Sequence, residues 1–366
     1  MIPRKAFKIV KYLEDLYEID ETKYRRFDSS NTALIVIGQK DTGEIGTMNW
    51  LGKLMPNMMK NIENDIEGKS RYEYALLMGA EAVHYIIGTY GDQNENKQFL
   101  KWCPLFVPEF LNKSRAIVEP EKLTSLVKNA ATAYGADLVG ITELDHRWVY
   151  ERNIYKPIIF SDFEHPTETD EAFVIPGSIN KAVVMAIAMN RDWILQAPSV
   201  VSQAAVGLGY SKMAFLSLSL AEFIRALGYN AIPCMNDTAL SIPLAINAGL
   251  GQLGRLGLMI TPEYGPCVRI CKVLTDMPLN TDRPIDYGQT LFCNQCLVCA
   301  RACLAGAISF EDRTMSGPNE CNNPGVSKWY VNAQKCLRFW QDSGTGCSNC
   351  IAACPFTRDF IPERRV

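Results

Sequence analysis

Eight cysteines near the end of the chain form two runs whose spacing constrains the fold more than any other feature of the sequence. The first run is C-x2-C-x2-C-x3-C, and the second is C-x10-C-x2-C-x3-C followed by proline. Gaps of two residues let three thiolates from one tight turn reach three irons of a [4Fe–4S] cube, whereas the gap of three directs the fourth cysteine away from it. The spacing therefore predicts two [4Fe–4S] clusters.

The predicted ligands divide into two groups, because the fourth cysteine of such a run ligates the other cluster in two-cluster ferredoxins. The first cysteine group is Cys293, Cys296, Cys299 and Cys354. The second cysteine group is Cys303, Cys336, Cys347 and Cys350. Leu304 follows Cys303 where the first run of a ferredoxin usually carries proline, a difference that changes the turn and removes no ligand.

Two other uses of cysteine fit the pattern less well. Structural zinc is usually held by two C-x2-C pairs that close one tetrahedral site, and here each turn carries too many ligands. Disulfides are disfavoured because the cysteines number 13, an odd count, and because C-x2-C pairs bridge poorly. The cysteines outside the two groups are expected to be buried thiols: Cys103, Cys234, Cys267, Cys271 and Cys321.

The composition is that of a chain of about two or three globular domains with an ordinary core. The chain has 366 residues, of which 48% are hydrophobic and 21% are charged, and its net charge is −3. This weakly acidic balance argues against a nucleic-acid partner. The three histidines, His84, His146 and His165, are too few for a histidine-rich metal site and are expected to be satisfied or exposed imidazoles.

Neither a membrane span nor an export signal is evident in the sequence. No uninterrupted apolar run reaches the roughly 20 residues that cross a bilayer. The N-terminal stretch is charged and amphipathic, without a signal-peptide core or a twin-arginine motif. The protein is therefore expected in the cytoplasm as given, or on the outer face of the cytoplasmic membrane if an export leader has been cleaved.

Three regions are expected along the chain. Residues 1–115 form an irregular, mostly helical region that covers the substrate pocket. Residues 116–285 form an α/β core with a loop-rich insertion at about 145–180, because helical and strand patterns alternate there. Residues 286–366 carry both cysteine runs.

Several segments have a specific predicted structure. TALIVIG is a possible strand, and the methionine-rich TMNWLGKLMPNMMKNI is expected in the core or on the wall of an apolar pocket. The helical spacing of YEYALLMGAEAVHYIIGTYG and PEKLTSLVKNAATAYG predicts two helices. Buried strands are predicted for KAVVMAIAMN and VRICKVLTDMPL, with the helix SKMAFLSLSLAEFIRALGY between them.

A glycine series, Gly249, Gly251, Gly254 and Gly257, superficially resembles a dinucleotide-binding fingerprint. It follows a predicted helix and precedes a strand, which is the reverse of the order that the fingerprint needs, so a nicotinamide site is rejected. We expect instead a close approach of the backbone to a large flat ligand. A glycine-rich turn without a ligand is the alternative.

From Tyr210 to Arg358 the sequence resembles the corrinoid-dependent reductive dehalogenases. The resemblance includes both cysteine runs and these motifs: YSKM, IRALGYNAIPCMND, LSIPLAINAGLGQLGRLGLMITPEYGP, VRICKVLTDMPL, RPIDYG and GTGCSNCIAACPFTR. It implies an α+β or α/β fold with a nitroreductase-like cobalamin-binding core and a C-terminal bacterial ferredoxin-like module with two clusters. It also implies an oxidoreductase that removes halogen from an organohalide by means of base-off cobalamin or a related corrinoid.

The resemblance implies partners and site residues as well. The partners are a small organohalide and an electron donor, which would be a ferredoxin, a flavodoxin or a membrane quinol-linked subunit; a homodimer is also compatible. Tyr210 would donate the proton, Arg269 would stabilise its phenolate, with Lys272 as a weaker candidate, and Asn236 would bind substrate or halide. Corrinoid contacts are implied for Ser241, Gly249, Gly251, Gly254, Arg255, Gly257 and Trp340.

Taken singly, the three residues of the predicted chemistry have ordinary interpretations. Tyr210 could be an amphipathic anchor, Arg269 could pair with a nearby carboxylate, and Asn236 could form a turn or a helix cap.

Two other functions also remain open. Epoxyqueuosine reductase, a corrinoid enzyme that acts on tRNA, shares the cysteine spacing. It is expected to continue well past the clusters, whereas 12 residues follow Cys354 here. The other alternative is a plain ferredoxin-type electron carrier.

Overall fold

The computed structural model describes residues 8–87, 102–105, 107–108, 115 and 119–358. Its helices are α1 (Ala33–Thr42), α2 (Leu51–Glu63), α3 (Arg71–Ile87), α4 (Pro120–Ala133), α5 (Arg191–Ile194), α6 (Val200–Ala226), α7 (Ser241–Asn247), α8 (Gln289–Cys296), α9 (Val298–Arg301), α10 (Ala333–Ser343), α11 (Asn349–Ala353) and α12 (Pro355–Arg358). Its strands are β1 (Lys8–Ile9), β2 (Leu138–Glu143), β3 (Ile158–Ser161), β4 (Thr167–Glu168), β5 (Phe173–Pro176), β6 (Lys181–Ala188), β7 (Ala231–Cys234), β8 (Gln252–Leu253), β9 (Met259–Ile260), β10 (Val268–Thr275) and β11 (Ile285–Asp286).

A four-stranded sheet organises the core, in the order β2-β6-β10-β7, and each neighbouring pair is antiparallel. The two central strands, β6 and β10, are mostly apolar and buried on both faces, although β10 carries Arg269 and Lys272. In the register of the sheet, Arg269 lies opposite Ile187, and Lys272 lies between Val184 and Cys234. The predicted buried strands KAVVMAIAMN and VRICKVLTDMPL are thereby confirmed.

The two faces of this sheet belong to different parts of the core. On one face, Val183, Met185 and Val273 pack with apolar residues of α4 and α6. On the other face, Ala182, Val184, Ala186, Ile232 and Leu274 pack with α7 and with the N-terminal segment. Side chains of a strand alternate between its two faces, so each strand supplies both clusters.

Helix α6 is the longest helix of the described chain, and its ends have clear local causes. The Ser199 side chain accepts a hydrogen bond from the backbone N–H of Ser202, which caps the first turn. Gly228 follows the last turn with a φ of 84°, a left-handed conformation that glycine adopts without strain. By length and composition α6 could cross a membrane, but 61% of its most apolar window is buried inside the fold, which is typical of a core helix.

The structure differs from the sequence expectations in three places. TALIVIG lies in α1 and the turn before it, not in a strand, because a Thr32 carbonyl–Val36 amide hydrogen bond begins a helix there. Met48, Met55 and Met59 of the methionine-rich segment are about half exposed, so they lie outside the core. Of the five cysteines expected to be buried thiols, Cys103 is exposed and Cys321 is half-buried.

The loop-rich insertion at about 145–180 contains a small three-stranded sheet of its own. Its strand order is β3-β5-β4, with β3 parallel to β5 and β4 antiparallel to it. Phe173 and Ile175 of β5 are buried in the same core cluster as Ala182 and Val184 of β6. The insertion is therefore packed against the central sheet.

The N-terminal segment joins the central sheet to the cysteine-rich module. Its strand β1 pairs with β11, and the amide of Asp20 donates to the carbonyl of Gly325 between the two cysteine runs. The hydroxyl of buried Tyr17 accepts a hydrogen bond from the amide of Leu253 in β8, at 2.8 Å. Contacts on both sides place this segment between the two larger parts of the fold.

Candidate functional site

A large open cavity of about 430 Å³ lies where the N-terminal segment, α7 and the segment between the cysteine runs meet. Its wall residues are Leu13, Tyr17, Tyr24, Phe27, Trp148, Tyr150, Asn236, Leu240, Ser241, Ile242, Pro243, Ile246, Leu253, Gly257, Cys321, Asn322, Asn323, Val326, Lys328, Trp329, Tyr330, Val331 and Ala333. This volume lies within the range of roughly 300–1,000 Å³ that is usual for ligand pockets. The walls are mostly aromatic and aliphatic, so the cavity suits a flat and partly apolar ligand.

Some polar atoms of the wall residues have no hydrogen-bond partner, and they indicate whether a corrinoid would fit. Among the described residues, the indole N–H groups of Trp148 and Trp329 and the side-chain oxygen of Asn322 are buried without a hydrogen-bond partner. A buried polar group without a partner costs stability, so such groups usually await a ligand or water. The amide side chains of a corrinoid carry both donors and acceptors, and they therefore match these two donors and one acceptor.

The predicted corrinoid contacts separate into two sets in the structure. Ser241 and Gly257 line the large cavity. The backbone at Gly251 instead packs against β9, where a side chain would meet the carbonyl oxygen of Ile260 at 2.2 Å. Gly249 has a φ of 74° and lies against the carbonyl of Arg283. These two glycines thus allow backbone-to-backbone packing rather than contact with the cavity.

Three further predicted contacts also lie away from the cavity wall. A side chain at Gly254 would meet Leu256 and Ile260. Arg255 is 2% exposed, and its guanidinium donates to four backbone carbonyls, including those of Cys293 and Ser309. Arg255 therefore stabilises the backbone conformation of the first cysteine run. Trp340 lies on α10 with its buried indole N–H unpartnered among the described residues, and its corrinoid contact remains a prediction.

Tyr210, Asn236 and Arg269 converge although they come from α6, the end of β7 and β10. The side-chain amide of Asn236 donates a hydrogen bond of 2.9 Å to the Tyr210 hydroxyl. The guanidinium carbon of Arg269 lies 5.0 Å from the centroid of the Tyr210 ring. Asn236 also lines the large cavity, so the Tyr210 hydroxyl is one hydrogen bond away from the cavity wall.

The backbone around Asn236 is held in place by its neighbours. The buried Tyr150 hydroxyl donates to the carbonyl of Asn236 at 2.8 Å, and the amide of Met235 donates to the Asp237 carboxylate at 2.7 Å. Burial raises the pKa of Tyr150 further above its usual value, which keeps this phenol protonated as a donor. The side chain of Asn236 is thereby aimed at Tyr210 by a fixed turn.

Two further residues lie beside the Tyr210–Arg269 pair: Gly209 next to Arg269, and His84 next to Tyr210. No pattern in the sequence predicted either contact. A side chain at Gly209 would begin 2.8 Å from Cγ of Arg269, so the glycine makes room for the cation. The imidazole of His84 on α3 stacks on the Tyr210 ring, with centroids 5.1 Å apart and planes 22° apart. Burial lowers the pKa of His84, which favours the neutral imidazole at pH 7.

Helix α3 is held against α6 next to this stacked pair. The hydroxyl of Ser211 accepts a hydrogen bond from the amide of His84 at 3.1 Å and donates to the carbonyl of Ala80 at 2.6 Å. Ser211 directly follows Tyr210, so the contact fixes His84 relative to the phenol. The other two histidines lie elsewhere, with His146 stacked on Phe160 and His165 hydrogen-bonded to Asn230.

The first cysteine group surrounds a small cavity. The four thiols line it together with Arg255, Leu256, Ile260, Phe292, Leu297, Pro355 and Phe356. Burial, and then the nearby thiols of Cys293 and Cys296, raise the pKa of Cys299 to about 12. Burial also raises the pKa of Cys354 to about 12, with further contributions from Cys293 and Cys299. Thiols that resist ionisation in this way need the positive charge of bound iron to become thiolate ligands.

The second cysteine group is likewise brought together by the fold. Burial raises the pKa of Cys336 to about 12, with contributions from the nearby Cys303 and Cys347. Burial also raises the pKa of Cys350, and the thiols that add to it come mainly from Cys336 and Cys347. The sulfur of Cys303 accepts a hydrogen bond from the amide of Ala307 at 3.2 Å.

Both cysteine runs contain one residue other than glycine in the left-handed backbone conformation. Leu297 and Ser348 each follow a cysteine at the first position of an x2 gap, and both have a positive φ, 52° and 59° respectively. This left-handed residue turns the chain sharply, so successive thiols face the same point. Among the described residues, no three His, Cys, Asp or Glu side chains form a site for a single metal ion.

Two family models match the chain. The model described as a reductive dehalogenase subunit matches residues 147–279, and the one described as a 4Fe-4S dicluster domain matches residues 292–357. The first match covers Tyr210, Asn236 and Arg269. The second covers both cysteine groups.

Similar proteins carry the same description. The tetrachloroethene reductive dehalogenase of Sulfurospirillum multivorans is 40% identical over 342 residues, which are 85% of this chain and 68% of that protein. A tetrachloroethene reductive dehalogenase of Desulfitobacterium hafniense is 39% identical over 268 residues, which cover 65% of this chain. A solved catabolic reductive dehalogenase in complex with 3-bromo-4-hydroxybenzoic acid superposes with a TM-score of 0.68 at 22% identity over the whole chain. The chain spans about half the length of the last two proteins, 48% and 46% respectively.

Proposed function

Because this chain belongs to the reductive dehalogenase family, a family of oxidoreductases that act on carbon–halogen bonds, we propose that it replaces a halogen of an organohalide by hydrogen. The balanced reaction takes R–X, two electrons and one proton to R–H and a halide ion. Tyr210 is the proton donor in this proposal, and Arg269 and Asn236 assist it. Two of the relatives named above are tetrachloroethene reductive dehalogenases, so chlorinated ethenes are the first substrates to assay.

The hydrogen bond between Asn236 and Tyr210 is the observation that carries the proposal. Because the amide N–H of Asn236 donates to the phenol oxygen, the phenol proton is left free for transfer. A donor at this oxygen stabilises the phenolate more than the phenol. The Arg269 cation near the ring acts in the same direction. Both contacts therefore place a hydrogen-bond donor or a positive charge beside the oxygen and ring on which the phenolate charge would develop.

The large cavity is the proposed site of a base-off corrinoid, and the two cysteine groups are the proposed sites of two [4Fe–4S] clusters. When bound, a reduced corrinoid supplies the cobalt centre that cleaves the carbon–halogen bond, and the clusters supply its electrons singly. The residues that would hold the corrinoid are Ser241, Gly257, Trp148, Trp329 and Asn322. The described cavity wall contains no histidine that could ligate cobalt.

The first cysteine group and the proposed corrinoid cavity share one turn of the chain. Arg255 and Leu256 line the small cavity of that group, whereas Gly257 lines the large cavity. A side chain at Gly257 would meet Val331 at 2.8 Å, so the turn can pack closely only with glycine there. Consecutive residues thus face the two cofactor sites, which supports electron transfer over a short distance between them.

The test is an anaerobic assay of the holoprotein with a chemical reductant and a panel of chlorinated ethenes. Tyr210→Phe should keep the cobalt and iron content and lose about 10²-fold to 10⁴-fold of kcat, the usual contribution of a general acid. Tyr72→Phe is the matched control, because Tyr72 is 73% exposed on α3. Full activity in Tyr210→Phe would exclude Tyr210 as the acid. Holoprotein without cobalt from a corrinoid-rich host would exclude the dehalogenase function.

Epoxyqueuosine reductase is not favoured by the comparisons, because the 40% identity to a dehalogenase extends over 85% of the chain. A plain electron carrier gives no reason for the large cavity or for the arrangement around Tyr210. The visible spectrum separates this alternative, since a bound corrinoid adds sharp bands to the broad absorption of the clusters.

A further inference from the structure

Lys328 is the one side chain with a formal charge among the described residues that line the large cavity. It belongs to the segment between the two cysteine runs, and its neighbours Trp329 and Tyr330 line the same cavity. The remaining described wall residues are aliphatic, aromatic, amide, hydroxyl, thiol or glycine residues. A single cation in such a cavity indicates a ligand with one anionic group near that wall.

The position of Lys328 is well defined by the backbone on both sides. Its amide and carbonyl form a bridge with Thr314, with hydrogen bonds of 3.1 and 3.0 Å. Its ammonium nitrogen lies 4.7 Å from the centroid of the Tyr330 ring. The Tyr330 hydroxyl in turn donates to the carbonyl of Val326 at 3.0 Å. Ring and backbone together keep the lysine beside the cavity.

No anionic partner for Lys328 lies in the part of the chain that the structure describes, since none of the ion pairs or side-chain hydrogen bonds found there includes its ammonium group. By contrast, Lys40, Lys128 and Lys156 each pair with a carboxylate within 3.1 Å. Burial lowers the pKa of Lys328 to about 8, with no nearby charge that opposes the shift. An unpaired cation that is partly removed from water is costly, and an anion from a ligand would relieve that cost.

We propose that Lys328 binds the phosphodiester group of the corrinoid nucleotide loop. The inference rests on the proposed corrinoid site. The peripheral side chains of a complete corrinoid are neutral amides, and the phosphodiester of its nucleotide loop is the anionic group that remains. In the base-off form this loop is detached from cobalt and is free to lie along a wall of the cavity. An ammonium–phosphate hydrogen bond is charge-assisted and therefore stronger than a neutral one.

Three corrinoids that differ in the nucleotide loop test the proposal. Cobalamin carries the whole loop, cobinamide phosphate keeps a phosphate without the base, and cobinamide lacks both. The full chain with its iron–sulfur clusters is produced with each corrinoid, and the rate of corrinoid release is followed by absorbance and cobalt analysis. Lys328→Met should speed the release of cobalamin and of cobinamide phosphate by about tenfold to a hundredfold and leave cobinamide unchanged.

Two further variants complete the experiment. Lys328→Arg keeps the cation and should release all three corrinoids at close to the wild-type rates. Lys335→Met removes an exposed lysine of α10 that does not line the large cavity, and it should change none of the rates. If Lys328→Met does not fold, the wild-type protein still tests the inference, because it should retain cobinamide phosphate longer than cobinamide.

The outcomes that contradict the inference differ from those that contradict the proposed function. Equal acceleration for all three corrinoids in Lys328→Met would assign Lys328 a structural role only. Acceleration for cobalamin but not for cobinamide phosphate would mean that the base, and not the phosphate, is recognised. Both results leave corrinoid binding intact. Failure of the wild-type chain to retain any of the three corrinoids would instead remove the proposed function itself.

Discussion

Arg269 and Lys272 lie three residues apart on β10, and their side chains leave opposite faces of the central sheet. The guanidinium of Arg269 lies over the Tyr210 ring, whereas the Lys272 ammonium donates to the carbonyl of Met235 at 2.6 Å and to the Ser241 hydroxyl at 3.1 Å. Side chains alternate along a strand, so residues an odd number apart cannot share a face. This geometry leaves Arg269 as the cation beside Tyr210.

The first prediction concerns Arg269. Replacing it with glutamine should lower kcat by about 10²-fold, because a fixed cation near developing negative charge contributes on this scale. Arg269→Lys should recover part of the loss. The measurement is steady-state kinetics of the anaerobic holoprotein, with Lys122→Gln on the exposed face of α4 as the control. A kcat of wild-type size in Arg269→Gln would show that the cation does not assist the phenol.

The second prediction concerns the ring that stacks on Tyr210. His84→Ala should lower kcat by about tenfold with little change in KM, because the phenol loses a contact that holds its orientation. His84→Phe keeps an aromatic ring and should stay close to wild type, since the neutral imidazole acts here through its shape.

The control for this pair is His165→Ala, which alters an exposed histidine away from the site. If His84→Phe were as impaired as His84→Ala, the imidazole nitrogens and not the ring would matter. If both variants had wild-type kinetics, the stacking contact would have no role in turnover.

The third prediction tests the space that Gly209 provides. In Gly209→Ala the new methyl group would begin 2.8 Å from Cγ of Arg269 and would displace the guanidinium. We expect a loss of kcat similar in direction to that of Arg269→Gln, with the fold retained. Gly79→Ala on α3 is the matched control, since nothing lies within 4 Å of the added group and alanine favours the helix by about 0.5–1 kcal/mol. Unchanged kcat in Gly209→Ala would mean that Arg269 can move without cost.

The fourth prediction tests the division of the cysteines into two groups. Cys299→Ala and Cys354→Ala should each reduce the iron content from about eight to about four atoms per chain, because one [4Fe–4S] cluster is lost. The double variant Cys299→Ala/Cys354→Ala should lose no more than either single variant. Cys299→Ala/Cys350→Ala should lose both clusters. Iron and sulfide analysis decides between these results, and additive loss in the first double variant would overturn the ligand groups.

The fifth prediction concerns a carboxylate that joins α1 to α2 and α10. Burial alone would raise the pKa of Asp41, but hydrogen bonds from Arg338, Lys53 and Gln341 outweigh it and hold the pKa well below its usual value. Asp41→Asn should therefore lower the free energy of unfolding by about 2 kcal/mol at pH 7, since it removes the buried negative charge to which Lys53, Arg338 and Gln341 donate. The effect appears as a lower Tm.

The sign of the pH dependence of this contact follows from the lowered pKa. Stability contributed by Asp41 is present above the usual carboxylate pKa of about 4 and is lost as the pH falls through the lower folded-state pKa. The control is Asp162→Asn, which alters an exposed carboxylate of the insertion and should leave Tm unchanged. Equal Tm values for Asp41→Asn and wild type at pH 7 would contradict the prediction.

Much of the core could be predicted from sequence because its signals are local. The apolar runs of β6 and β10 and the helical spacing of α3 and α4 each follow from residues close together in the chain. The prediction failed for TALIVIG, because a short apolar run fits a buried helix as well as a strand, and α1 packs against the distant α10. It also failed for the methionines of α2, whose exposure no local pattern reveals.

By itself, the amino-acid sequence determined the cysteine spacing, the buried strands β6 and β10, and the family to which the chain belongs. These features depend on order and spacing along the chain. Only the tertiary structure decided that Gly257 and not Gly251 lines the cavity, that His84 stacks on Tyr210, and that Lys328 carries the charge on the cavity wall. Those contacts join segments far apart in sequence, and their geometry is set by the packing of whole helices and sheets.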